Sequence, residues 1–195
     1  MPILGVIASS TRQGQGPTDT GAMFPIGMVQ VGSTTSSITF SSIPATYTHL
    51  QVRALMRNTR TADRSGSPAM RFNSDTGSNY YYHRIYGDGD SAGTDTSGGT
   101  TNQMYAIGMA TDLNTAGIFG LAIWDILDYT NTSKNKIVKV LAGMDNNRTS
   151  DVGSVGITSG AWNNTSAITS ITIFPNVNDW SVGSTFYLYG IKGAL

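Results

Sequence analysis

Glutamate is missing from this chain. None occurs among 195 residues, so all twelve acidic groups are aspartates. Glutamate supports helices, whereas aspartate competes for backbone hydrogen bonds and gathers in turns and caps. Cysteine is absent too, which removes disulfides and thiolate metal sites. Charge is scarce: Asp, Lys and Arg make up 12% of the residues, about half the usual share. Twelve basic groups cancel the twelve acidic ones. That balance argues against nucleic acid as the main partner, which calls for a basic excess. Two histidines are too few for a zinc site without cysteine. The apolar opening, residues 2–8, has no basic residues before it and is too short for a secretory signal or a membrane span. The chain is therefore expected to be soluble, made in the cytoplasm and free of membrane contact.

What is present points to strands. The 23 glycines, abundant β-branched residues and Ser/Thr/Asn polarity suit strands joined by polar turns. A chain of this length fits one domain, or one domain plus an arm, and buries roughly 70% of its unfolded surface.

Residues 1–25 read as an N-terminal arm or linker, and 26–195 as the folded domain. The apolar tip Ile3, Leu4, Val6 and Ile7 is followed by STRQGQGPTDTGA, which has turn composition without periodicity. Two readings stand: a frayed terminus, or an arm whose tip docks on a neighbouring subunit. From residue 26 the period is two. Segments 26–31 and 36–40 flank a 32–35 turn and predict a hairpin. In 49–57, Leu50, Val52, Ala54 and Met56 point one way, and His49, Gln51, Arg53 and Arg57 the other. Strands are also predicted at 68–73, 80–86, 136–144, 167–174 and 184–192. The nearly continuous apolar run 117–129 predicts a central strand apolar on both faces, and 87–102 a polar loop outside the core. Frequent turns, no convincing helix and no internal repeat predict an all-β, antiparallel, jelly-roll-like β-sandwich with an extended N-terminal arm.

Candidate chemistry is sparse. Asp88, Asp90 and Asp95 have the alternation of a calcium loop, yet Ala92 stands at position five and Gly99 at position twelve, where a bidentate acid belongs. A solvated turn is the favoured reading, with no metal and no cofactor. There is no G-x-S-x-G elbow and no phosphate-binding glycine motif. Asp125 and Asp128 lie three apart in an extended segment, so they face opposite sides and make a poor glycosidase pair; hydrogen bonds at a strand end are expected instead. His49 and His83 read as structural or surface residues. Tyr81, Arg84, Trp162 and Trp180 are candidates for an interface or for stacking on sugar rings.

Segments 36–57, 70–89, 125–146, 162–175 and 186–193, together with the opening MPILGVIASS, resemble a widespread family of bacteriophage virion proteins. The resemblance runs from residue 1 to 193 and carries no catalytic residues. It implies a non-enzymatic structural protein on the virion surface, assembled in the host cytoplasm, with other virion proteins as partners. It favours the docking arm and a capsid decoration or cement role that stabilises the shell. The alternative is a tail, fibre or baseplate component binding host-surface glycans. A polysaccharide-degrading enzyme is the weakest reading. Homo-oligomers are expected, a trimer first, although the sequence does not fix the number.

Overall fold

The computed structural model describes residues 23–146 and 153–192, in which all regular secondary structure is strand. In chain order the strands are β1 (Met23–Gln30), β2 (Ile38–Phe40), β3 (His49–Asn58), β4 (Ser65–Gly66), β5 (Pro68–Phe72), β6 (Tyr80–Gly87) and β7 (Ala92–Thr96). They continue as β8 (Met104–Tyr105), β9 (Met109–Thr111), β10 (Gly120–Leu127), β11 (Lys136–Asp145), β12 (Gly153–Trp162), β13 (Ile171–Pro175) and β14 (Thr185–Ile191).

Ten strands form one sheet with the main order β1-β14-β3-β10-β11-β12-β6-β7, and β9 and β4 extend from the end of β3. Four strands form the other, β2-β13-β5-β8. Pairing is antiparallel except between β3 and β9. The all-β antiparallel sandwich expected from the sequence is thus what forms, with sheets of very unequal width. The jelly-roll part of the expectation finds no confirmation in this order. β1 starts at Met23, three residues inside the stretch read as an arm. The candidate docking residues Ile3, Leu4, Val6 and Ile7 lie outside the described residues.

Strand alternation sets the core. In the large sheet, Leu188, Val52, Trp124 and Val140 stand side by side across β14, β3, β10 and β11, and Leu50, Ile126 and Val138 form the next row. All are buried, against Ile38, Phe40, Met70, Phe72, Ile171 and Ile173 from the small sheet. Each such side chain contributes about 1.5–3 kcal/mol on burial. Gly156 and Gly160 in β12 point inward, where a Cβ would fall 2.3 Å from the Ile107 side chain and 2.5 Å from Met104 Sδ respectively. Glycine at those two positions lets segment 104–107 lie directly on the sheet.

Two expectations about strands are corrected. Segments 26–31 and 36–40 do not pair as a hairpin: β1 pairs with β14 in the large sheet, and β2 pairs with β13 in the small one. Each has the alternation of a strand, but its partner is remote in sequence. The chain crosses between sheets at Val31, which is buried and hydrogen-bonded to Gly183 and Ser184. The second correction concerns 87–102, which contains β7, an edge strand of Ala, Gly, Thr and Asp paired with β6. With no apolar face to bury, β7 leaves no periodic signal.

Buried cations pin the loops. Lys136 is fully buried at the start of β11, and its ammonium donates to the carbonyls of Asn131 (2.6 Å), Thr165 (2.8 Å) and Lys134 (3.0 Å). Burial, and then the nearby Lys134 charge, draw its pKa below the usual lysine value. Arg57, expected on the solvent side, is covered at the sheet rim. Its guanidinium meets Asp112 at 2.7 Å and the carbonyls of Asn114, Thr115 and Ile118 at 2.9–3.1 Å. Lys136→Met keeps the stem but leaves three carbonyls without that donor. A loss of about 1–3 kcal/mol is expected, read as a lower urea midpoint with unchanged slope.

Candidate interaction face

The small sheet covers one side of the large one. On the other side the outward residues are also apolar, and nothing among the described residues covers them. Register places Ile123, Leu141, Ile157 and Ile85 in one row across β10, β11, β12 and β6. Above this row, Leu55 and Leu121 stand opposite each other, and Val155 lies across from Gly143. Leu141 is 53% exposed, Ile157 51%, Val155 57% and Ile85 58%, so about half of each large side chain remains open. An outward face built as aliphatically as a core is the most distinctive surface of the molecule. Ile137 and Tyr81 add exposed apolar surface near its lower margin, at the ends of β11 and β6.

A polar row runs beside it: Gln51, Asp125, Lys139, Ser159 and His83. Gln51 donates to Asp125 at 2.6 Å and accepts from Arg53 at 2.8 Å. On the opposite face of β6, toward the 104–107 segment, Arg84 pairs with Asp95 at 2.6 Å, donates to the Ala106 carbonyl at 3.3 Å and lies 5.7 and 5.8 Å from the ring centres of Tyr82 and Tyr86. The Gln51 bonds fix the β3–β10 end of the polar row beside the aliphatic row.

The other candidates fall elsewhere. Trp162 and Trp180 are fully buried, which removes them as sugar-stacking groups. Trp162 packs against Phe72 and Tyr80 and donates its indole N–H to Asp75 at 2.7 Å; Trp180 meets Phe186 edge-on and donates to the Ile173 carbonyl. Large rings in loop-like sequence context still go inside when an aromatic pocket and an acceptor await them. Burial pushes the Tyr80 hydroxyl up to about 12. Tyr81 remains 42% exposed and Arg84 partly so, both on β6.

Asp88, Asp90 and Asp95 do not form a cation cage. Asp88 accepts from the Asp90 and Ser91 backbone N–H groups and the Ser91 hydroxyl, bonds that hold its pKa below the usual value, while Asp95 is committed to Arg84. Among the described residues no group of three or more His, Asp or other ligating side chains is placed to hold a metal ion.

Nor do Asp125 and Asp128 cooperate. Asp125 points outward to Gln51, whereas Asp128, at φ 47°, turns the chain at the end of β10. A hydrogen bond from Lys134 holds the Asp128 pKa down despite some burial, and His49 adds to the effect. His49 Nδ1 accepts from the Asp128 backbone N–H at 2.9 Å. A hydrolytic relay needs that nitrogen to donate to a carboxylate, so the His49–Asp128 contact has the wrong tautomer for one.

Sequence reasoning missed β12, which contributes Val155 and Ile157. Its alternation was legible in GSVGIT, but three glycines and two serines diluted it.

Asp75 offers a test of the aromatic cluster. Burial raises its pKa, but hydrogen bonds from Trp162, Asn79 and Gly77 more than offset this and leave it lowered. Its stabilisation is therefore fully present above the ordinary aspartate range and declines as pH falls through the lowered value. Asp75→Ala is expected to cost about 1–3 kcal/mol at neutral pH. The gap from wild type should narrow below about pH 4 in urea unfolding across pH.

No family model matches this chain, and neither a curated protein nor a solved structure is detectably similar to it.

Proposed function

We propose that this protein is a non-enzymatic structural component of a bacteriophage particle, a decoration or cement subunit that binds the assembled capsid shell through its N-terminal segment. The observation that carries the reading is the open aliphatic face of the ten-stranded sheet. A protein that works alone in solution gains nothing from such a face, whereas a subunit of a larger body uses it. The family resemblance of the sequence supports the same place in the cell: the virion surface, after assembly in the host cytoplasm. The committed hydrogen bonds of His49, Asp125 and Asp128 favour a structural role over a hydrolytic one.

Binding to the shell and not to free capsid subunits would stabilise the particle by mass action. The apolar tip Ile3, Leu4, Val6 and Ile7 would supply the anchor, and the sandwich would project outward. The tail or fibre alternative loses its two strongest sugar-stacking candidates to the core, since Trp162 and Trp180 are buried.

The first test is the copy number of the chain in purified particles, counted by quantitative mass spectrometry against the major capsid protein. A near-stoichiometric ratio is expected. A few copies per particle would move the protein to the tail, and absence from particles would overturn the virion reading. The second test is deletion of residues 1–16, which should abolish shell binding while circular dichroism still reports a folded sandwich. Undiminished binding would remove the anchor.

A further inference from the structure

The aliphatic face has a shape of its own. Leu141 and Val155 line two hollows at once, standing as a ridge between them. The hollow on one side, about 490 Å³, is lined by the outward Gly87 together with Ile85 and Ile157. That on the other, about 500 Å³, runs past Phe119, Leu121 and Gly143. Outward glycines beside outward Ile, Leu and Val thus make depressions next to protrusions of matching chemistry on the same surface.

We infer that this face is a self-association surface, whose occupant is the same face of a second copy of the chain. Three observations select that occupant. The first is area. Leu55, Leu121, Leu141, Val155, Ile157 and Ile85, each 44–58% exposed, adjoin one another across β3, β10, β11, β12 and β6, and a standard-size interface takes about 800 Å² from each partner. The largest apolar patch of an ordinary monomer covers only about 300–600 Å².

The second is shape. A two-fold interface needs a self-complementary patch, and a face with both a ridge and hollows offers the parts, the ridge of each copy entering a hollow of the other. Sheets packed face to face in this way sit about 10 Å apart with interdigitating side chains.

The third is charge. The chain has zero formal net charge, and the polar row beside the apolar one carries both signs, in Asp125 and Lys139. Two copies therefore approach without net repulsion, and the flanking row can pair across the join.

The inference does not depend on the virion reading, because it concerns the purified chain in solution. The test compares full-length wild type with Leu141→Lys/Ile85→Lys by sedimentation and light scattering at about 100 µM, well above the weakest dissociation constants of interfaces this size. Both positions are exposed and lie two strands apart, so the fold is expected to tolerate the pair; matching circular-dichroism melts would verify this. Val182→Lys, equally exposed but outside these rows, is the control.

Wild type and the control should run as a discrete oligomer and the double variant as a monomer. In wild type, hydroxyl-radical oxidation of Leu141 and Ile157 should fall several-fold between dilute and concentrated protein. A wild-type monomer at that concentration would overturn the inference and leave the face to another partner or to residues 1–22. So would an oligomer that the double variant leaves intact, or one in which Leu141 and Ile157 stay fully reactive.

Discussion

A sheet eight strands wide along its main order cannot be covered by one of four, and most of this structure follows from that mismatch. The inner row through Leu188, Val52, Trp124 and Val140 is sealed because Ile38, Phe40, Met70, Ile171 and Ile173 reach it from the small sheet. Where the small sheet ends, short segments take over. The stretch around Met104 and Ile107 lies on the glycines of β12, and the Arg57 guanidinium gathers the 112–118 turn against the rim of β3. Among the described residues the outward side has no such cover. Its aliphatic row is therefore not an accident of surface composition but the second face of strands whose first face is already in use.

The protein places its charges to suit this arrangement. Lys136 and Arg57 are withdrawn from the surface and spent on carbonyl groups of the chain itself, where they replace the water those carbonyls would otherwise bind. Asp75 and Asp128 accept hydrogen bonds from neighbouring side chains and fix the ends of strands. With charged residues at 12% of the chain, about half the usual share, much of the polar surface falls to Ser, Thr and Asn beside aliphatic groups. Such a surface favours broad, close contact over long-range steering.

Much of the fold was legible in the sequence, and the residues show why. Segment 49–57 alternates because one side of it must enter the core, and it, 117–129 and 136–144 all hold strands of the large sheet. The double apolarity of 117–129 was legible as well. What it could not reveal is that Ala122, Trp124 and Ile126 are covered while Leu121 and Leu127 stay open, since coverage depends on the width of the opposite sheet. Pairing was less accessible. β1 and β2 look like a hairpin locally, yet their partners β14 and β13 lie more than a hundred residues away, and no local pattern encodes that choice. The candidate face was hidden for the same reason: Leu141, Ile157 and Ile85 come from three strands, and only register shows that they are neighbours.

The two ends of the large sheet have a consequence for how the protein can assemble. β1, at one edge, contains Pro25, which has no N–H to offer a new strand, and its register breaks between Pro25 and Gly27. β7, at the other edge, is five residues of Ala, Gly, Thr and Asp with no hydrophobic side to reward addition. Edges of this kind resist the unlimited strand-by-strand growth that leads to fibrils. Association through the aliphatic face, with both edges unreceptive, would end at bodies of finite size.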